Sequence, residues 1–335
     1  MKAVNSGDYL TLTKAGKDYN VFLASVTAPK MGSASRSEEP FGFEAREYLR
    51  DKVIGRKCDF HPEYNFSGRE YGSLIVDSED IGVAIVKTGL AKVIEKKGAL
   101  PVSSHYDALI EAQTEAKNKK IGLHASTDPK YLEKHNREVT YFGEPGYNPA
   151  KLYEEAKSIA KPLEGIVEYV MNASYLTVYI HKFQTVARVS MVHLFTPQQS
   201  VDKNFIAEGK TFTEKLLLHR TVGVKLERYE AGTEGSQGNL YARIYHPAGD
   251  IAYEVLKNGY AKLNTPKNTD FDADYFKTLK EAQLIAQSKQ VRIWKDFKPA
   301  EEKKQQKAST TDFMGRVIEV HSGDSMTIER DNDFQ

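Results

Sequence analysis

At 335 residues the chain has room for about two domains of ordinary size. With 47 basic and 46 acidic residues the net charge is +1, so any nucleic-acid surface has to be local. Cys58, the single cysteine, excludes an internal disulfide framework. The polar start Met1–Asp8 is not a signal peptide, and no run reaches the roughly 18 apolar residues of a membrane span. The expected location is the cytoplasm, with the nucleus open as a second one, and no membrane partner is expected.

Residues 3–13 and 19–26 alternate apolar and polar side chains around the turn-like 14–18 and are predicted as a hairpin. Pro29 ends the second strand, and residues 30–40, rich in Ser, Gly and charge, are predicted as a loop. Phe41, Ala45, Tyr48, Leu49 and Val53 recur at helical spacing. Strands follow at 57–61 and 71–76, then a helix at 81–88 stopped by Gly89 and a charged helix at 106–120. Residues 126–162 form a linker with a short helix at 150–160. The order then repeats: a hairpin from 163–180 and 185–194, a helix at 205–218, strands at 216–226 and 240–245, and helices near 250–258 and 270–288. Three strands, a helix, two strands and trailing helices are the order of a small closed Greek-key barrel.

The repetition is explicit in the residues. Gly89-Leu90-Ala91-Lys92-Val93 returns as Gly259-Tyr260-Ala261-Lys262-Leu263, and Leu109-Ile110-Glu111-Ala112-Gln113 as Leu279-Lys280-Glu281-Ala282-Gln283, both displaced by 170 positions (259 − 89 and 279 − 109). Two matches at one offset mark a duplicated domain. A third echo pairs Val4-Asn5-Ser6-Gly7-Asp8 with Val320-His321-Ser322-Gly323-Asp324, so a third unit is expected to open at 311–335 without the rest of its barrel. The natural protein is expected to be longer. The expected organisation is a domain at 1–125, the linker at 126–162, a second domain at 163–297, a charged linker at 298–310, and the truncated third unit.

The Ser-Gly-Asp phrase, Thr27-Ala28-Pro29, Phe41-Gly42-Phe43-Glu44-Ala45, Gly68-Arg69-Glu70-Tyr71-Gly72 and the two repeated phrases together resemble the staphylococcal nuclease domain. The resemblance implies an α+β fold: tandem OB barrels of five strands, each with about three helices. Tandem copies resemble the N-terminal half of the Tudor-staphylococcal nuclease (p100 co-activator) family, which implies further nuclease-like repeats and a Tudor domain on the full-length chain.

An active nuclease of this fold implies carboxylates around a calcium ion and two arginines on the phosphate. Asp8 keeps the first carboxylate, but Phe22 stands for the first Arg, Thr27 for the second Asp, Lys30 for the Glu and Ser73 for the second Arg. In the second copy Ser174, Ser190, Phe195 and Gln198 hold the corresponding positions, with Gly238-Asn239 near the second Arg. Asp8 and Asp324 are therefore read as catalytic remnants, each with an alternative role in a tight turn. No cofactor is expected, calcium entering only if the nuclease reading holds, and the nine His show no zinc-ligand spacing.

What the pattern retains is a barrel with basic and aromatic edges, the kind that stacks bases and tracks a phosphate backbone. The candidate nucleic-acid contacts are Lys14, Lys17, Lys30, Arg69 and Tyr71 in the first copy, and Lys182, Arg188, Tyr241 and Arg243 in the second. The expected function is an RNA-binding scaffold, for single-stranded or structured RNA. By resemblance its expected partners are proteins of RNA silencing, RNA processing and transcription. Two alternatives stay open: a metal-dependent endoribonuclease completed by later repeats, and a protein-docking platform.

Overall fold

The computed structural model describes residues 1–96, 98, 101–197, 203–233, 237–247, 249–265, 271–298, 315–323 and 325–330. The chain divides into two units, residues 1–295 and 296–335. The first contains two five-stranded barrels.

In the first barrel the strands are β1 (Ala3–Val4), β2 (Tyr9–Lys14), β3 (Lys17–Leu23), β4 (Asp59–Phe66) and β5 (Arg69–Val76). They lie in the order β1-β2-β3-β5-β4, with β3 and β5 parallel and the other neighbours antiparallel. The strand expected over 3–13 is in fact two, because Asn5 N–H and Ser6 N–H both donate to the Tyr9 carbonyl and close a tight turn. Alternation sends Leu10, Val21, Leu23 and Leu74 inward, all at most 1% exposed. Helix α1 (Gly42–Val53) covers one end by burying Ala45, Leu49 and Val53, spaced four apart. Each such Leu or Val contributes about 1.5–3 kcal/mol through burial. Helix α2 (Ile81–Lys87) starts where Asp80 accepts from Val83 N–H, and α3 (Tyr106–Lys119), which packs on α2, buries Leu109, Ala112 and Ala116.

The segment between the barrels is built into the structure. A short strand at Thr140–Tyr141 pairs in parallel with Thr185–Val186, and α4 (Pro149–Lys157) buries Leu152 and Ala156 in the second core. Tyr153 Oη donates to the Glu227 carbonyl at 3.2 Å.

The second barrel comprises β6 (Leu163–Val170), β7 (Tyr175–Ile180), β8 (Thr185–Met191), β9 (Thr221–Glu230) and β10 (Asn239–His246). Its pairings run β6-β7-β8-β10-β9 and return from β9 to β6, a closed ring. Residues 163–180, expected as one strand, are the β6–β7 hairpin. Helices α5 (Lys203–Leu217), α6 (Ile251–Lys257) and α7 (Ala273–Ser288) repeat the positions of α1–α3, and Asp250 caps α6 as Asp80 caps α2.

The barrels share a polar contact at the α1–β6 face. Arg46, 2% exposed, donates from Nη1 and Nη2 to the two Glu168 carboxylate oxygens at 2.8 Å each, and from Nε to the Val4 carbonyl at 3.2 Å. Val4 N–H donates to Nδ1 of buried His219 at 2.9 Å.

In the second unit, β11 (Gly315–Ser322) and β12 (Ser325–Arg330) form an antiparallel hairpin. Val317, Val320, Met326 and Ile328 are exposed on it.

Candidate nucleic-acid interface

Calcium takes about six to eight oxygen ligands. The side chains at the ancestral positions of the first barrel do not fit it. Asp8 is already engaged: Oδ1 accepts from Ser6 Oγ at 2.6 Å and Oδ2 from Ala28 N–H at 3.1 Å. Burial pushes its carboxyl above the ordinary range, and those hydrogen bonds only partly oppose the rise. Phe22, Thr27 and the cationic Lys30 line the same cleft, and Ser73 is buried on β5. In the second barrel the tie between first strand and strand end survives without charge, as Ser174 Oγ and Thr196 Oγ1 lie 2.7 Å apart. Ser190 follows on β8, Phe195 is exposed, and Asn239 opens β10 opposite Glu230. Gln198 and Asp324 lie outside the described residues. Among the described residues no three His, Cys, Asp or Glu side chains gather as metal ligands.

Beside Asp8 the outer face of the first barrel carries an aromatic ladder. β-Pairing sets Tyr9 opposite Phe22, Phe22 beside Tyr71, and Tyr71 opposite Tyr64. The rings follow suit: Tyr9 and Phe22 stack with centroids 4.5 Å apart and planes 6° off parallel, Phe22 and Tyr71 are 5.3 Å apart, and Tyr64 and Tyr71 stack at 5.0 Å. All four are half-buried, so each keeps surface open to solvent. The Arg69 guanidinium lies 5.2 Å from the Phe22 centroid, in cation–π range. Tyr64 Oη accepts from Ser25 N–H, which fixes the last ring. A cleft of about 530 Å³ runs along the Tyr9–Phe22–Tyr71 part, with Lys30, Arg36 and Arg69 as its basic residues and Asp8 as its carboxylate.

Of the residues singled out in the sequence, Lys30, Arg69 and Tyr71 meet in this cleft. Lys14 and Lys17 face each other at the far end of the β2–β3 hairpin, away from the ladder. The second-barrel candidates do not assemble a comparable face. The Arg188 guanidinium is covered by the Phe142 ring at 4.1 Å. Tyr241 donates its hydroxyl to Glu230 at 2.7 Å and lies under Arg228. Arg243 is bound by Asp272 at 2.9 Å and Glu227 at 3.1 Å, over the Tyr275 ring. Lys182 is exposed on a 3-10 turn, His181–Phe183. The register equates Phe22 with Ser190 and Tyr71 with Tyr241, so the second copy lacks the central ring of the ladder. Tyr9, Phe22 and Tyr64 went unrecognised in the sequence; each strand gives the ladder one ring, so only the pairing of the strands brings the rings together.

Residues 20–126 and 188–296 match the staphylococcal nuclease homologue family. Over 99% of its length the chain is 28% identical to Ribonuclease TUDOR 1 of Arabidopsis thaliana, covering 39% of that protein. It is 27% identical to Staphylococcal nuclease domain-containing protein 1 of Drosophila melanogaster, across 99% of the chain and 37% of the relative. The protein of the same name from Schizosaccharomyces pombe is 26% identical across 92% of the chain and 36% of its own length. The chain thus spans about two fifths of these curated relatives. Among the described residues no helix is long and apolar enough to cross a membrane.

Proposed function

The chain belongs to the staphylococcal nuclease homologue family, and from that premise we propose that it is an RNA-binding scaffold whose first barrel holds single-stranded RNA without the calcium chemistry of the fold. The observation that carries this reading is the Tyr9–Phe22–Tyr71–Tyr64 ladder flanked by Lys30, Arg36 and Arg69. Bases stack on such rings for about 1–3 kcal/mol each, and the cations follow the phosphates. RNA is favoured over DNA by the name of the Arabidopsis relative, Ribonuclease TUDOR 1. By resemblance the scaffold would serve RNA silencing, RNA processing and decay, and transcriptional co-activation, with proteins of those assemblies as partners.

The test is fluorescence anisotropy with labelled single-stranded RNA at two salt concentrations. Binding that weakens steeply with salt is expected, since phosphate contacts release counterions. Added calcium is expected neither to raise Tm nor to start cleavage. Calcium-dependent cleavage abolished by Asp8→Ala would overturn the proposal. The name "Ribonuclease TUDOR 1" supports a second reading, in which the longer protein cuts RNA with a site completed elsewhere. Cleavage by the longer protein but not by residues 1–335 would favour it.

A further inference from the structure

Two of the three cations of the cleft, Lys30 and Arg36, sit on residues 28–41, the loop that leads into α1. The loop closes on itself as a small hairpin. Glu39 N–H donates to the Lys30 carbonyl at 3.0 Å and Lys30 N–H to Glu39 Oε2 at 2.8 Å. Ser33 and Arg36 exchange backbone bonds at 2.8 and 3.1 Å, and Arg36 Nη2 donates to the Met31 carbonyl at 2.8 Å. Ser33 through Ser37 are all exposed, so the hairpin has little packing of its own to hold it in place.

Its support comes from far along the chain. The Glu38 side chain, 3% exposed, turns back into the protein and accepts from Arg137 Nε at 3.0 Å and Nη2 at 2.5 Å. The same carboxylate accepts from Gly32 N–H at 3.4 Å, so both arms of the hairpin meet on it. The Arg137 guanidinium lies 3.4 Å from the Phe43 ring centroid on α1 and 4.8 Å from that of Tyr179 on β7. Nearby, Phe41 N–H donates to the His135 carbonyl at 3.2 Å, and the His135 ring stacks on Phe41 at 3.8 Å. Arg137 is therefore fixed against both barrels before it reaches the loop. An arginine fork on a carboxylate sets direction as well as distance.

We propose that Arg137, in the segment between the barrels, is a positioning residue for RNA: through buried Glu38 it fixes the loop from which Lys30 and Arg36 meet the phosphates. The role rests on the RNA reading, and it adds that the first barrel's hold on a strand is set from outside that barrel. Released from Glu38, the loop spreads both cations over many positions, and the cost of ordering them falls on RNA binding. Arg137 acts through Glu38 and not on RNA itself, since its planar group is already stacked and paired.

The experiment is the salt dependence of single-stranded RNA binding by residues 1–335, read by anisotropy for wild type, Arg137→Met and Glu38→Ala. Glu38→Ala is a second route to a released loop, and it leaves Arg137 stacked on Phe43 and Tyr179. Each variant is expected to weaken two phosphate contacts, lowering the slope of log affinity against log salt by up to about 1.4, with affinity at about 0.1 M salt down roughly tenfold. Arg137→Lys keeps the charge without the fork and should fall between Arg137→Met and wild type. The series is repeated in a background of Lys30→Gln with Arg36→Gln. There Arg137→Met and Glu38→Ala should change neither slope nor affinity, because the cations they position are gone. Equal losses in both backgrounds would make the pair merely structural and overturn the proposal. Wild-type binding with the slope intact in both variants would overturn it too, and would leave the RNA reading standing. A wild type that binds no RNA would overturn that reading, and this role with it.

Discussion

Phe22 reads in the sequence as an arginine lost from a nuclease, yet in the fold it is the central ring of a four-membered stack. Position alone identified what had disappeared; the neighbours that give the new residue a use come from three different strands. Phe22→Leu keeps the apolar bulk and removes the π face. Single-stranded RNA affinity is expected to fall by about 1–3 kcal/mol, roughly 5- to 150-fold. The Tm should barely move, because the ring is half exposed. Titration of the variant against wild type by anisotropy, with parallel thermal melts, checks both halves. Arg69→Gln should act differently, lowering the slope of log affinity against log salt by about 0.7 for one phosphate contact on a single strand. An unchanged slope would remove Arg69 from the phosphate path. Lys14 and Lys17 show the limit of reading charge from sequence: alternation puts them on a strand, but only pairing shows that they end the hairpin remote from the ladder.

At the scale of elements, the repeated phrases were the most legible part of the chain, and the structure gives the reason. Gly89 and Gly259 end α2 and α6 with φ of +75° and +69°. An added Cβ would lie 2.4 Å from the Ile121 carbonyl oxygen and 2.7 Å from that of Val291. Backbone conformation and close approach together demand glycine. Gly89→Ala is therefore expected to cost about 2–3 kcal/mol, at the upper range for left-handed strain with a backbone clash added. Gly259→Ala should cost slightly less for its longer contact. Chemical denaturation measures both; losses under about 0.5 kcal/mol would mean that the following turn gives way. One turn that sequence reading missed has the opposite character. The break between β6 and β7 contains neither Gly nor Pro: Met171 and Asn172 N–H donate to the Tyr175 carbonyl, and Asn172 Oδ1 accepts from Ser174 N–H. A turn held by backbone bonds and one side-chain acceptor leaves little compositional trace, so residues 163–180 read as continuous.

For the molecule as a whole, the coupling of the barrels was invisible in the sequence. Arg46 and Glu168 are 122 positions apart and each reads as a surface charge. Folded together they form a bidentate pair. Burial alone would raise the Glu168 carboxyl, but the Arg46 charge and hydrogen bonds hold it below its ordinary value. Arg46→Met leaves Glu168 without its partner and is expected to cost about 3–5 kcal/mol, whereas Arg46→Met with Glu168→Leu should recover most of that loss. Calorimetry should show the single mutant separating into two transitions as the barrels uncouple. Next to this pair, burial first and the Arg46 charge second bring the His219 imidazole from 6.5 down to about 4. The neutral ring is also what accepts from Val4 N–H. Folding thus favours the unprotonated form, so its stabilisation is complete above pH 6.5 and is lost as pH falls toward 4. The shift corresponds to a contribution on the order of 3 kcal/mol. His219→Asn keeps an acceptor near the Nδ1 position, tolerates the residue's φ of 54° and cannot titrate in this range. Its unfolding free energy should decline much less than wild type between pH 6.5 and 4. Urea titrations at half-unit steps across that window make the comparison. Parallel curves for the two proteins would show that the acid loss arises elsewhere and that His219 binds its proton alike in the folded and unfolded states.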